Sequence, residues 1–124
     1  MMFLNIFKKM SLIALMLIAT NCRQSVIPTE EDLAGYGWTL YETGEYQEAR
    51  EWFYDAVAKD SSYADGYNGI GWCFGKLRQA DSAAVYFHES QTKPFDAYDT
   101  PDLDLDLYAG LTFAYSGMLS LIHI

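Results

Sequence analysis

The most constraining feature of this chain is an internal repeat with a period of 34 residues. The segment 35–38, Gly-Tyr-Gly-Trp, aligns with the segment 69–72, Gly-Ile-Gly-Trp, and Phe53 aligns with Phe87 at the same offset. A fixed period of this length is typical of arrays of stacked helices, in which each unit needs its neighbours to bury its apolar face. The sequence therefore predicts an all-α protein of repeated helical hairpins.

The composition allows one small domain with an acidic surface. The chain has 124 residues, of which 16% are aromatic, and these supply large side chains for a core. Global disorder is therefore not expected. The formal net charge of -9 repels phosphate, so we expect no nucleic-acid partner. Good solubility is the simpler explanation of this charge, and an acidic recognition surface is the alternative.

The first 21 residues have the pattern of a secretion signal. Lys8 and Lys9 precede an apolar run over residues 10–19. The run is too short to cross a bilayer comfortably, but its length suits the hydrophobic region of a signal peptide. A buried core helix is disfavoured because the run has no amphipathic period. We therefore expect residues 1–21 to be a signal peptide.

The residues after the apolar run resemble the lipobox of bacterial lipoproteins. Ala19 and Thr20 are small residues before Cys22, whereas Asn21 departs from the Gly, Ala or Ser that usually precedes the cysteine. The resemblance implies cleavage before Cys22, lipidation of that residue and a linker over residues 22–29. It places the protein in the bacterial cell envelope as a periplasm-facing lipoprotein of the inner or outer membrane. Secretion as a soluble periplasmic protein and an uncleaved anchor are the alternatives.

Capping and breaking residues divide the rest of the chain into five helices. Thr29 followed by three acids, with Asp32 in the capping-box position, predicts the start of the first helix, and Gly44 ends it. Ser62 with Asp65 predicts a similar cap for the third helix. The predicted spans are 30–43, 46–59, 63–76, 80–92 and 101–117, the last with Thr100 as its N-cap.

The two complete units resemble the tetratricopeptide repeat (TPR), a 34-residue helix–turn–helix with small residues where its helices touch. The matching positions of the first unit are Gly37, Gly44, Tyr46, Ala49, Phe53 and Ala56, and those of the second are Gly71, Ala83, Phe87 and Ser90. The departures are Leu33 and Tyr67 in place of Trp, Ser61 in place of Pro, and Arg78 and Ala80 in place of Gly and Tyr. The resemblance implies a TPR-like helical-hairpin solenoid of about two and a half repeats, over 30–62, 63–93 and a partial 101–118.

The partial third unit follows an insertion. The segment 106–111 resembles the segment 65–70 at an offset of 41, so extra residues lie between 93 and 105. Asp and Leu alternate over residues 102–106, but Leu107 and Phe113 stand where a calcium-binding EF-hand needs Gly and Glu. Acids in the first turn of a helix explain the run better. No metal and no other cofactor is predicted.

The last six residues differ in character from the rest of the chain. Residues 119–124 resemble the translation of a transposon end used in sequencing libraries. We therefore expect a non-native tail and a natural protein that continues past about Met118, and we assign no role to His123. Without a following helix, the fifth helix is expected to expose apolar surface.

The sequence carries no signature of catalysis. It has no Gly-rich phosphate loop, no paired zinc-ligand motif and no nucleophile elbow. Cys73 lies among apolar residues and is expected to act as a small hydrophobe, without a disulfide to Cys22. His88 is a lone histidine that we expect at the surface. We predict neither an enzyme nor a small-molecule substrate.

The TPR resemblance implies a peptide-binding groove on the first helix of each unit. The residues that it places there are Trp38, Tyr41, Asn68, Trp72 and Phe113, with Asp65 and Lys76 nearby. Large aromatic side chains make good anchors for a partner. The alternative is packing, in which Trp38 and Trp72 stack on each other.

The predicted function is an envelope-anchored protein that binds a protein or peptide partner, or that acts as an assembly scaffold. Two alternatives place the chain in a larger protein whose C-terminal part is missing. One is an outer-membrane assembly lipoprotein, and the other is the repeat module of an envelope enzyme.

Overall fold

The computed structural model describes residues 1–6, 10, 26–95 and 101–122. All regular structure in these ranges is helical, which confirms the predicted all-α class. Residues 2–6 are helical, and five helices follow: α1 (Glu30–Thr43), α2 (Tyr46–Lys59), α3 (Ala64–Lys76), α4 (Ala80–Gln91) and α5 (Leu103–Ile122). The lipidation residue Cys22, most of the apolar run, Thr100 and His123 lie outside the described residues.

The start of α1 is the predicted capping box. Thr29 Oγ1 accepts a hydrogen bond from Asp32 N at 3.2 Å, and Asp32 Oδ2 accepts one from Thr29 N at 2.8 Å. Two of the donors that every helix N-terminus leaves unpaired are therefore satisfied reciprocally. The backbone and side-chain hydrogen bonds from Thr29 lower the pKa of Asp32.

The turns after α1 and α3 have the same backbone conformation. Gly44 ends α1 with φ 91°, and Arg78, 34 positions later, has φ 62°. Both residues are in the left-handed region that favours glycine. The hydrogen bonds that close the two turns correspond at this offset: Gly44 N to Tyr41 O (3.1 Å) and Glu45 N to Leu40 O (3.0 Å), against Arg78 N to Gly75 O (3.1 Å) and Gln79 N to Phe74 O (2.9 Å). The sequence period therefore extends to the turn geometry.

Arg78 holds a left-handed conformation without being glycine, so Arg78→Gly is expected to stabilise the protein by about 0.5–1 kcal/mol. The left-handed conformation costs a side-chain-bearing residue about 1–2 kcal/mol, and the greater freedom of glycine in the unfolded chain offsets part of the gain. Urea denaturation of the purified full chain measures the change. The control Gly44→Ala should lower stability, and a loss of stability in Arg78→Gly would contradict the assigned turn geometry.

The predicted cap of α3 is wrong. The N-cap residue is Tyr63, which makes no side-chain capping hydrogen bond. The Ser62 hydroxyl donates instead to Asp60 Oδ1 at 2.7 Å, and the Ser62 backbone N donates to the same oxygen at 2.8 Å. The helix α5 also differs from its prediction, since it begins two residues later, at Leu103, and continues to Ile122.

Two buried clusters form the core, each around one phenylalanine. Phe53 and Phe87 are both fully buried, and they lie 34 positions apart. Each ring lies against glycines of two different helices, where an added Cβ would meet it: Gly37 (3.0 Å) and Gly69 (2.5 Å) for Phe53, Gly71 (2.7 Å) and Gly110 (2.6 Å) for Phe87. The absence of side chains at these glycines lets neighbouring helices close on the ring.

The helix contacts arrange the chain in two layers. The helices α1, α3 and α5 touch in that order, while α2 contacts α1 and α3, and α4 contacts α3 and α5. Side chains join α2 to α4, because the hydroxyl oxygens of Tyr54 and Tyr86 lie 3.0 Å apart. Phe74 stacks on the ring of Tyr86 with the centroids 5.3 Å apart. The sequence analysis did not predict this tyrosine pair.

The helix α5 has an exposed apolar surface, as expected. Its exposed large apolar side chains are Leu105, Tyr108, Phe113, Tyr115, Leu119, Leu121 and Ile122. Within the described part of the chain, α5 is also the one helix long and apolar enough to cross a membrane by length and composition. Core helices of soluble proteins meet the same criterion.

Candidate binding groove

Side chains from three helices line an open pocket of about 230 Å³. Trp38 and Tyr41 come from α1, Trp72 comes from α3, and Asp106 comes from α5. The pocket therefore lies where the three helices of one layer meet. We call this surface the groove, and it includes the exposed Phe113 described below.

Trp38 and Trp72 are held in the same way in successive units. The Trp38 ring meets Phe53 edge to face, with centroids 4.9 Å apart and planes at 70°. The Trp72 ring meets Phe87 at 5.5 Å and 77°. The alternative in which Trp38 stacks on Trp72 is therefore wrong, since each indole packs on the phenylalanine of its own unit. Both indoles are partly exposed and reach the same pocket.

A hydrogen bond between α1 and α3 fixes the Trp38 indole. Trp38 Nε1 donates to Asp65 Oδ2 at 2.8 Å, and Asn68 Nδ2 donates to Asp65 Oδ1 at 3.2 Å. Asn68, which the sequence places on the groove surface, is fully buried because α3 has a helix on either side. Its Oδ1 has no hydrogen-bond partner among the described residues. Asn68 therefore orients Asp65 rather than presenting a surface to a partner.

The rim of the groove on the α5 side is acidic. Asp106 is the counterpart of Asp65 at the offset of 41 residues. Asp65, Asp102 and Asp106 line an adjoining pocket of about 180 Å³ together with Pro101 and Leu103. Burial and the charges of Asp65 and Asp102 raise the pKa of Asp106, while a hydrogen bond from Asn68 lowers it. The sequence analysis assigned Asp106 only to the first turn of a helix.

Tyr41 and Phe113 extend the aromatic surface on both sides of the indoles. Tyr41 meets Trp38 edge to face at 5.4 Å, and Lys76 Nζ lies 5.9 Å from the Tyr41 ring centroid. Burial raises the pKa of Tyr41 to about 12, so its hydroxyl stays protonated at neutral pH. Phe113 is 49% exposed and lies 6.2 Å from Trp72 between centroids. The predicted groove residues other than Asn68 therefore present partly exposed aromatic rings.

The remaining residues considered from the sequence have structural environments. Cys73 is buried, and burial raises the pKa of its thiol to about 12, which confirms the expected small hydrophobe. His88 is exposed, as expected, with Nε2 2.6 Å from the Tyr115 hydroxyl. Among the described residues, no group of three His, Cys, Asp or Glu side chains is placed to hold a metal ion.

Comparisons with known proteins gave no further assignment of the groove. A scan against protein-family models, a search of curated proteins and a search of solved structures found no match.

Proposed function

We propose that this chain is a TPR-like helical-hairpin solenoid that binds an extended segment of a partner protein in the groove, without catalysis. The observation that carries the proposal is the pocket shared by Trp38, Tyr41 and Trp72. Rings that are already held in place lose little conformational freedom when a partner binds, so they suit a role as anchors.

The repeated geometry supports the solenoid part of the proposal. Phe53 and Phe87 have equivalent glycine contacts, and Gly44 and Arg78 have equivalent turn conformations. An array of this kind presents the first helices of its units side by side along one surface, which is where such arrays bind extended partners.

Selection from a displayed library of random short peptides tests binding in the groove. The purified full chain is immobilised in mild detergent, and the affinities of the selected peptides are then measured for each variant. Trp72→Ala is expected to weaken the selected peptides about tenfold or more, since large aromatic anchors dominate interfaces.

The matched control for that experiment is Trp52→Ala. Trp52 lies on α2 and packs edge to face on Tyr36 at 4.6 Å, so its removal deletes an indole from the other layer. Circular dichroism checks that both variants keep their helices. Equal losses in the two variants, or a failure to select any peptide, would contradict the proposed function.

The proposal includes attachment to the bacterial envelope through lipidated Cys22. The lipobox-like sequence supports it, and several acyl chains on one residue would give stable membrane binding. Cys22→Ser is expected to move the protein from the membrane fraction to the soluble fraction and to abolish incorporation of labelled palmitate. Cys73→Ala, at the other cysteine, should leave both unchanged. A Cys22→Ser variant that stays with the membrane would disprove this anchor.

A further inference from the structure

We propose that the groove selects a basic segment, whose Lys or Arg side chain enters the pocket between Trp38, Tyr41 and Trp72 and meets the Asp106 carboxylate. The inference rests on the proposed peptide-binding function and adds the chemical class of the partner. It commits the groove to a cationic side chain within an extended peptide.

The aromatic lining supplies the first part of the argument. Three of the four residues that line the 230 Å³ pocket are Trp or Tyr. The face of an aromatic ring attracts a cation within about 6 Å of its centroid, and Trp is the strongest of the aromatic residues in this respect. The chain already shows the contact within itself, because Lys76 Nζ lies 5.9 Å from the Tyr41 ring centroid.

The carboxylates supply the second part. Asp106 lines the pocket itself, and Asp65 and Asp102 lie beside it in the adjoining 180 Å³ pocket. Their mutual repulsion and partial burial disfavour the charged form of Asp106. A cation bound at this position would offset both effects, whereas an acidic segment would add to the repulsion. The complementary partner is therefore positively charged.

Asp106→Asn is the variant that isolates this contact, because it removes the charge and keeps the shape of the side chain. The matched control is Asp104→Asn, which removes the same charge from an exposed position on the same helix. Both variants change the net charge equally, so any difference between them reports on the pocket rather than on the overall acidity of the protein.

The peptide library selected on the wild-type full chain is expected to be enriched in Lys and Arg. The enrichment should be lost on Asp106→Asn and kept on Asp104→Asn. For one selected peptide, replacing its basic residue with Gln should weaken binding about tenfold on the wild type and much less on Asp106→Asn. Lys76→Met should tighten binding by about twofold, because it removes a positive charge from the edge of the pocket.

The outcomes separate this inference from the proposed function. Neutral or acidic peptides that still depend on Trp72 would leave peptide binding in place and overturn only the basic partner. Equal behaviour of Asp106→Asn and Asp104→Asn would overturn it as well. Peptides that bind independently of Trp72 would overturn the proposed function itself.

Discussion

Phe87→Ala is expected to lower the free energy of unfolding by about 3–5 kcal/mol. The Phe87 side chain is fully buried, lies against Gly71 and Gly110, and meets the Trp72 ring edge to face. Its removal leaves a cavity between α3 and α5 that the backbone at two glycines can fill only partly. Since a domain of this kind has about 5–15 kcal/mol of stability, the variant loses a large share of it. Urea denaturation followed by far-ultraviolet circular dichroism measures the loss.

Phe113→Ala is the matched control for this prediction. It makes the same chemical change at a phenylalanine that is 49% exposed. The expected loss of stability is below about 1 kcal/mol, because the ring is already half in water. Similar losses in Phe87→Ala and Phe113→Ala would show that Phe87 is not the centre of its cluster.

Gly69→Ala is expected to lower the free energy of unfolding by about 1–3 kcal/mol. An added Cβ at Gly69 would lie 2.5 Å from Cδ1 and Cζ of Phe53, a ring that is itself fully buried. The ring has no free space into which it could move, so α1 and α3 must separate. Thermal denaturation of the full chain would detect the change as a lowered Tm.

Gly35→Ala is the control, and its effect should have the opposite sign. A Cβ at Gly35 would have no atom within 4 Å in the described part of the chain. Since alanine is a better helix former than glycine by about 1 kcal/mol, Gly35→Ala should stabilise the protein. Combining Gly69→Ala with Phe53→Leu should recover part of the penalty. Strict additivity of those two changes would rule out their contact as the cause.

The repeat period predicted the parts of the fold that depend on local position in a helical hairpin. Phe53 and Phe87 are both central and buried, and Gly44 and Arg78 occupy the same turn position. The cap at Ser62 was wrongly predicted because its two partners have other contacts. Asp60 takes the Ser62 hydroxyl, and Asp65 accepts a hydrogen bond from Trp38, which is 27 positions away in the chain.

The candidate groove could be predicted only in part. The resemblance to a repeat family correctly placed Trp38, Tyr41 and Trp72 around one pocket. The contribution of Asp106 was missed, because an acid in the first turn of a helix has a sufficient local explanation. The offset of 41 residues between Asp65 and Asp106 was the available signal. The burial of Asn68 follows from helices on both sides of α3, which a single-helix pattern does not reveal.

The four glycines of α3 determine how the whole molecule loses its structure. Gly66, Gly69, Gly71 and Gly75 lie within a helix of 13 residues, so α3 has little intrinsic tendency to be helical. It stays folded because Phe53 presses on it from one hairpin and Phe87 from the next. Loss of either ring therefore releases the shared helix, and the other hairpin loses its support. The array should unfold in a single cooperative transition, with the amide hydrogens of both hairpins exchanging together rather than one hairpin at a time.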